Sequence, residues 1–271
     1  MIITKQKIAR LLRRFHLLKL ADNIMLLMDI LKNRKYNQIF LSEHPDFVPP
    51  PYSLAYDTYN HTNWGNYYNM GLRHSTLIAD LIREYISENE IKICEWGCGP
   101  GRVIRHLDKI NGFGKVELFG TDYNKKSIEW CKENIKNAHF GENSLEPPLP
   151  LENNSFDCVY ALSIFTHLSE KMHHAWLEEL FRIIKPNGIL IFTTHGDLYA
   201  KRLLPSEKAI YNSGCLVIID KVKEGTKHFA AYHPPQFIKT KLLKNYVILK
   251  HIKHPESYQL EQDVWIAKKK S

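Results

Sequence analysis

The stretch CEWGCGPGRVIRHL, Cys94 to Leu107, sets Gly97, Gly99, Pro100 and Gly101 between an apolar run and a helix-like one. A strand, a bare turn and a helix N-terminus in that order bring backbone N–H groups against a ligand with no side chain in the way. Spacing then separates the ligand classes. A dinucleotide fingerprint opening at Gly97 needs glycine at position 102, and Arg102 stands there. A phosphate loop ending in G-K-[S/T] is absent. What is present is E-x-G-x-G-x-G, over Glu95, Gly97, Gly99 and Gly101.

Outward from the loop the pattern alternates. Before it come a helix carrying Leu77, Ile78, Leu81, Ile82 and Tyr85 and the strand IKICEW. After it come the helix RVIRHLDKI, the strand VELFGTD, the helix KKSIEWCKENI, the short strand AHF and the strand FDCVYAL. The helix HHAWLEELFRII, the turn KPNG and the strand ILIFTT complete the run. Strands alternating with helices across short turns predict a parallel, doubly wound sheet with its ligand at the carboxyl ends of the strands. Past His195 the order changes, through the short strands CLVIID and HFAAYH and a helix at PPQFIKTKLL, to YVILKHI and QDVWIAKK. Those last two lie close enough in sequence to pair antiparallel.

With the glycine loop in its strand–helix setting, the sequence resembles the class I S-adenosylmethionine (SAM)-dependent methyltransferases. The resemblance implies a Rossmann-like, mostly parallel seven-stranded sheet with SAM as cofactor. Gly97 and Gly99, flanking Cys98, would pass beside the methionine and ribose, and Glu95 would lie near the amino group. An acid should end the next strand and bind both ribose hydroxyls, and Asp122 in FGTDYN is so placed. A nicotinamide enzyme would use such an acid as well, and Asp122 could instead cap the helix that begins near Lys125. In FGENSLEPPLP, Asn143 with Ser144 occupies the place where the family holds adenine, and FRIIKPNGILIFTTHG resembles the helix, turn and strand that follow. Trp96, Tyr123 and Phe165 are aromatic neighbours for a sulfonium or, equally, core residues. Ser163, which opens SIFTHLSE, completes the cofactor set. The segments around the core resemble a bacterial group of such enzymes often found with surface-polysaccharide enzymes.

A hydroxyl acceptor needs a general base, and histidine is the natural one near neutral pH. His167 in SIFTHLSE and His195 in TTHGD fall just past strand ends on the expected ligand side, where turn or helix-start hydrogen bonding is the other reading. Tyr232 and His233 in AAYHPPQF form a second candidate acceptor wall. Residues 44–71, rich in proline and aromatics, have no usable period. They are expected to be an irregular ordered loop, either a lid at 47–71 closing over the cofactor, with Tyr56, Tyr59 and Trp64 as candidate contacts and Tyr56 and Tyr59 also toward the substrate, or a belt on the sheet edge. Position 161 onward reads ALSIF rather than Asp/Asn-Pro-Pro-Tyr, which points away from methylation of adenine or glutamine amino groups. No Pro-Cys pair suggests cytosine-ring chemistry, and no His/Asp cluster suggests a metal.

The expected reaction is methyl transfer to an oxygen, or secondarily a nitrogen, of a small polar or carbohydrate-linked acceptor. The alternatives are a non-catalytic SAM-binding module and a nicotinamide-dependent oxidoreductase. Two parts are expected: residues 1–71, with N-terminal helices and the aromatic segment, and residues 72–271, the cofactor domain with a small insertion at about 197–240. Five cysteines without a C-x-x-C pair imply reduced thiols, neither a disulfide framework nor zinc. With no spanning apolar run and no signal-like N-terminus, the expected compartment is the cytoplasm.

Of the net charge of +8, an excess of seven falls in residues 1–35, where nine Lys/Arg face only Asp22 and Asp29. The remainder is close to neutral, so no nucleic-acid footprint is expected on the body. Residues 4–33 read as helix with two apolar stripes, one from Ile8 to Leu18 and one from Leu20 to Leu31, which predicts two short helices broken near Ala21 and Asp22. Such basic helices could support a homodimer, a peripheral membrane contact or only a solvated face.

Overall fold

A computed structural model describes residues 18–109, 114–219 and 222–270. The chain divides into two compact units, residues 1–68 and 69–271.

In the first unit, α1 (Leu18–Glu43) is one continuous helix that runs unbroken through Ala21 and Asp22, where a break was expected. Of the first apolar stripe, Ile8, Leu11, Leu12 and Phe15 lie outside the described residues. The second apolar stripe simply faces outward, while the inward face is polar and satisfied. Asp29 Oδ2 accepts from the Thr62 backbone N–H at 2.6 Å and its hydroxyl at 2.8 Å. Asn37 donates to the Thr62 carbonyl at 2.7 Å and accepts from the Trp64 N–H at 2.8 Å. The aromatic segment is largely helical where a loop was expected: α2 (Tyr52–Tyr59) ends on Asn60 in the left-handed region, and α3 (Trp64–Tyr85) follows. Aromatics spaced along α2 and the first turns of α3 bury one another, as the stacked rings of Tyr52 and Trp64 show with centroids 4.8 Å apart.

The second unit carries a seven-stranded sheet in the order β3-β2-β1-β4-β5-β9-β8. These are β1 (Glu90–Trp96), β2 (Lys115–Asp122), β3 (His139–Glu142), β4 (Phe156–Ala161), β5 (Ile184–Thr194), β8 (Tyr246–Ile252) and β9 (Asp263–Lys269). β1 to β5 are parallel to their neighbours, and β9 runs antiparallel to both β5 and β8. Alternate residues of each strand feed opposite cores. Cys94, Trp96, Val159, Ala161, Leu190 and Phe192 pack against α5 (Glu170–Ile183). Ile91, Ile93, Cys158, Tyr160 and Ile191 pack with the Leu77, Ile78 and Ile82 face of α3. Because both faces are covered, the strands read as nearly continuous apolar runs.

Two local expectations change. Past the glycine loop the chain forms a 3-10 helix, Ile104–Lys109, in place of an α-helix. The KPNG turn is absorbed into β5 as a bulge: Phe156 pairs with Ile184 and Cys158 with Ile189, and Asn187 takes φ 68° to accommodate the extra residues. α4 (Lys125–Asn134) is capped by Asn124, whose side chain accepts from the Ser127 N–H, so capping is not the task of Asp122. The insertion holds α6 (Asp197–Ala200), α7 (Pro205–Asn212) and a two-stranded antiparallel hairpin, β6 (Val217–Ile219) with β7 (Ala230–Tyr232). A final helical stretch covers Pro235–Phe237 and Ile238–Leu242.

Candidate functional site

The strand order reverses between β1 and β4, since β2 and β3 build outward on one side of β1 and β4 starts the other. Open parallel sheets bind ligands at such a point, beyond the carboxyl ends of the strands. A cleft open to solvent lies there, with about 420 Å³ of empty space counting the solvent at its mouth. Trp96 and Gly97 enter it from β1, Asp122 and Tyr123 from β2, and Asn143 and Ser144 from the turn after β3. Ile164, His167 and Leu168 enter from the segment after β4, Trp176 from α5, and Gly225 from the β6–β7 loop.

The glycine loop is pinned to β2: the N–H groups of Gly97 and Cys98 both donate to the Thr121 carbonyl, at 2.7 and 2.9 Å. Gly97 has φ 78°, and a Cβ there would sit 2.1 Å from Ile164 Cδ1, so any other residue would be strained and would displace the Ile164 side chain. Asp122 is buried and joins the same turn, with Oδ2 accepting from the Gly99 N–H at 2.8 Å and Oδ1 from the Asn124 N–H at 2.7 Å. Burial raises its pKa, against the pull of those two N–H groups. Each oxygen keeps a further lone pair, as a vicinal diol requires of its acceptor. Asn143 Nδ2 donates to the Ser144 carbonyl at 2.6 Å, whereas its Oδ1 is buried without a partner. A buried acceptor lacking a donor is costly unless a ligand supplies one, and an amino-bearing base would. The acid and the orphaned amide oxygen on one cleft wall therefore fit an adenosine.

Glu95 is placed differently from its expected position. It is turned onto the opposite face of β1, behind the loop, where Oε2 accepts from the Tyr160 hydroxyl at 2.9 Å and the Ile104 N–H at 3.1 Å. Burial outweighs these bonds and pushes its pKa up to about 8. Its role is to hold the 3-10 helix against the sheet. Cys98 and Ser163 do not line the cleft either. Cys98 is buried under the loop, and Ser163, in the left-handed region at φ 63°, donates through Oγ to Gln262 at 3.0 Å.

His167 Nδ1 lies 2.7 Å from the Phe229 carbonyl. A carbonyl only accepts, so Nδ1 carries the proton and Nε2 presents a lone pair. Burial holds the pKa below its ordinary 6.5, with only partial opposition from the Phe229 carbonyl. His195 repeats the arrangement on the Ala231 carbonyl at 3.1 Å, stacked on Tyr199 at 4.0 Å, with burial driving its pKa down to about 3. His195 does not line the cleft. Neither do Tyr232, 5.4 Å from the His195 ring, nor His233, fully buried with Nε2 2.8 Å from His173 Nε2. Tyr56 and Tyr59 belong to α2 of the first unit; Tyr56 is buried, and Tyr59 packs edge-on to Tyr67.

Leu145, Ile164, Leu168, Trp176 and Gly225 line the cleft without having been anticipated. Trp176 reads in sequence as one more apolar helix position, and indeed packs on Trp96 at 4.5 Å. Gly225 bridges two walls: its carbonyl accepts from the Tyr123 hydroxyl at 2.8 Å, and its N–H donates to the His167 carbonyl at 3.0 Å. At φ 79°, a Cβ would stand 2.6 Å from Leu145 Cδ1. Gly225→Ala is expected to cost about 1–2 kcal/mol and lower Tm by roughly 2–8 °C. A thermal melt unchanged within a degree would contradict this placement.

Among the described residues no group of three or more His, Cys, Asp or Glu could hold a metal ion. The thiols are free, and four of the five are buried.

Comparison with known proteins supplies the family context. Residues 94–192 match the model of a methyltransferase domain. The chain is 28% identical over 185 residues to the malonyl-[acyl-carrier protein] O-methyltransferase of Bacillus cereus, covering 61% of this chain and 66% of the relative. It is 29% identical over 140 residues to a tRNA N(3)-methylcytidine methyltransferase of Schizosaccharomyces pombe, covering 49% and 45%. It thus spans between about half and two thirds of the length of these relatives. Among solved structures, a SAM-dependent methyltransferase from Methanosarcina mazei superposes with a TM-score of 0.51 at 21% identity, over 70% of this chain and 97% of that one. In residues 94–192 the chain therefore carries a methyltransferase domain, on the class I methyltransferase fold, and S-adenosylmethionine is the cofactor that this domain and fold imply.

Proposed function

We propose that the protein transfers a methyl group from SAM to an oxygen of a small polar acceptor, a glycan precursor being the class the sequence resemblance favours. The observation that carries this reading is His167: a neutral imidazole on the cleft wall whose proton is committed to the Phe229 carbonyl and whose Nε2 is a bare base. A carboxylate or phosphate oxygen is already a nucleophile and needs no such group, whereas a hydroxyl does.

When bound, SAM supplies an electrophilic methyl on a sulfonium. Asp122 and Asn143 would hold its ribose and adenine, and Trp96 offers an aromatic wall to positive charge. His167 Nε2 takes the acceptor's proton, and the Phe229 carbonyl stabilises the imidazolium that results. His195, set outside the cleft and held strongly neutral, orders the β7 side of the acceptor wall through its Ala231 and Tyr199 contacts. The near-neutral body of the chain disfavours a nucleic-acid acceptor, although one relative is a tRNA enzyme by name.

The test is release of S-adenosylhomocysteine, followed by mass spectrometry across hydroxyl, carboxyl and amine acceptors. His167→Gln is expected to lower kcat on a hydroxyl acceptor by about 10²–10⁴ with SAM affinity unchanged, and His195→Gln by much less. If turnover is found and His167→Gln leaves it intact, His167 is not the base. SAM binding with no turnover on any acceptor would favour a non-catalytic module.

A further inference from the structure

α1 is inverted relative to an ordinary surface helix. Its protein-facing side is polar, built on Asp29, Asn33 and Asn37. Its outward side carries Leu20, Ile24, Leu27, Met28 and Leu31, each more than half exposed. At 3.6 residues per turn these five fall within one stripe about 100° wide, and Lys35 continues it. Lys32 and Arg34 flank the stripe on either side, all three cations being exposed. No polar packing requirement explains so apolar a face, because the helix meets its own unit through hydrogen bonds on the other side.

We propose that this face docks on an anionic lipid surface, lying in the interface with its leucines among the acyl chains. Charge complementarity selects this occupant. An apolar stripe edged by cations is the arrangement that lets side chains snorkel toward acidic headgroups. A second copy of the same helix would bring Lys32, Arg34 and Lys35 against their own kind, with Glu43 as the one exposed carboxylate of α1. No described helix is long and apolar enough to cross a membrane, so the contact is peripheral where this helix makes it.

The experiment is co-sedimentation of the full chain with vesicles of phosphatidylcholine, alone or mixed with phosphatidylglycerol. The protein is expected to pellet with the mixed vesicles and to release as salt rises. Leu27→Glu with Leu31→Glu, at exposed positions that leave the melt unchanged, should lower the partition at least about tenfold. Lys32→Gln and Lys35→Gln should each lower it about fivefold. Equal binding to both vesicle types, binding that survives Leu27→Glu/Leu31→Glu, or no binding at all would overturn the proposal. A dimer in sedimentation velocity that those glutamates dissolve, without vesicle binding, would assign the face to a second copy instead.

Discussion

Lowering the pH from 6.5 to 5 is expected to remove about 3 kcal/mol from the folding free energy, a large share of the 5–15 kcal/mol typical of a domain. The cause is a set of histidines buried neutral. Burial drives His74 and His195 down to about 3 and His173 to about 4, so in this window each binds a proton only on unfolding. Their folded pKa is depressed below the ordinary 6.5, so the stability they confer is present above 6.5 and lost as pH falls. Each contributes about 1.6 kcal/mol across 1.5 pH units, because the unfolded histidine is only half protonated at 6.5. Glu95 runs the other way, because its folded pKa near 8 keeps it protonated while the unfolded chain releases the proton. Three histidines against one carboxyl leave about two net protons taken up on unfolding. His167 and His233, lowered by burial, add to the loss, and Asp122, raised, opposes it. Urea denaturation at pH 7 and at pH 5 measures the difference, and equal midpoints would refute it. His74→Leu isolates one contribution. Both ring nitrogens of His74 are buried without a partner, so leucine forfeits no hydrogen bond there and should shrink the acid loss by about 1.6 kcal/mol.

Asp122→Ala is expected to weaken SAM binding by at least about 10²-fold, read by calorimetry. Two hydrogen bonds from ribose hydroxyls to an ionised acceptor are worth about 1.5–3 kcal/mol each, and in the proposed cofactor pose the substitution removes both. It also deprives the Gly99 and Asn124 N–H groups of their acceptor, so the glycine turn keeps its Thr121 ties to β2 but loses the one through Asp122. Asn143→Ala removes one neutral contact and should cost about tenfold. Reading the two together separates ribose from adenine. An Asp122→Ala protein that binds SAM within threefold of the parent would take the acid out of the cofactor site.

The parallel sheet was legible because its signal is dense: short apolar strands, 3.6-period helices and a glycine turn recur in one order. The place of Asp122 and Asn143 at the cleft was legible because strand ends fall where the apolar runs stop. Glu95 was not, since whether a β1 residue faces cleft or core depends on pleat parity, and one residue's shift exchanges the faces. Trp176 and Gly225 were hidden for another reason. Each reaches the cleft from an element far along the chain, and its local sequence describes only a helix position and a loop. The helical character of residues 52–67 escaped notice because its aromatic spacing serves ring packing within the unit, not a single amphipathic stripe. In α1 the two apolar stripes suggested two helices, when one helix with a polar inside accounts for the second stripe.

The loop from Lys223 to Phe229 works as a shared fastening. Gly225 ties it to Tyr123 on the nucleoside side, Phe229 orients the His167 ring, and Glu224 accepts from the Ser169 N–H ahead of α5. In the proposed reaction, donor grip and acceptor chemistry would thus hang on seven consecutive residues. A lineage that changed this hairpin to admit a new acceptor would have to re-fit its hold on the methyl donor at the same time, so specificity here is expected to evolve by side-chain exchange around the loop and seldom by changes in its length.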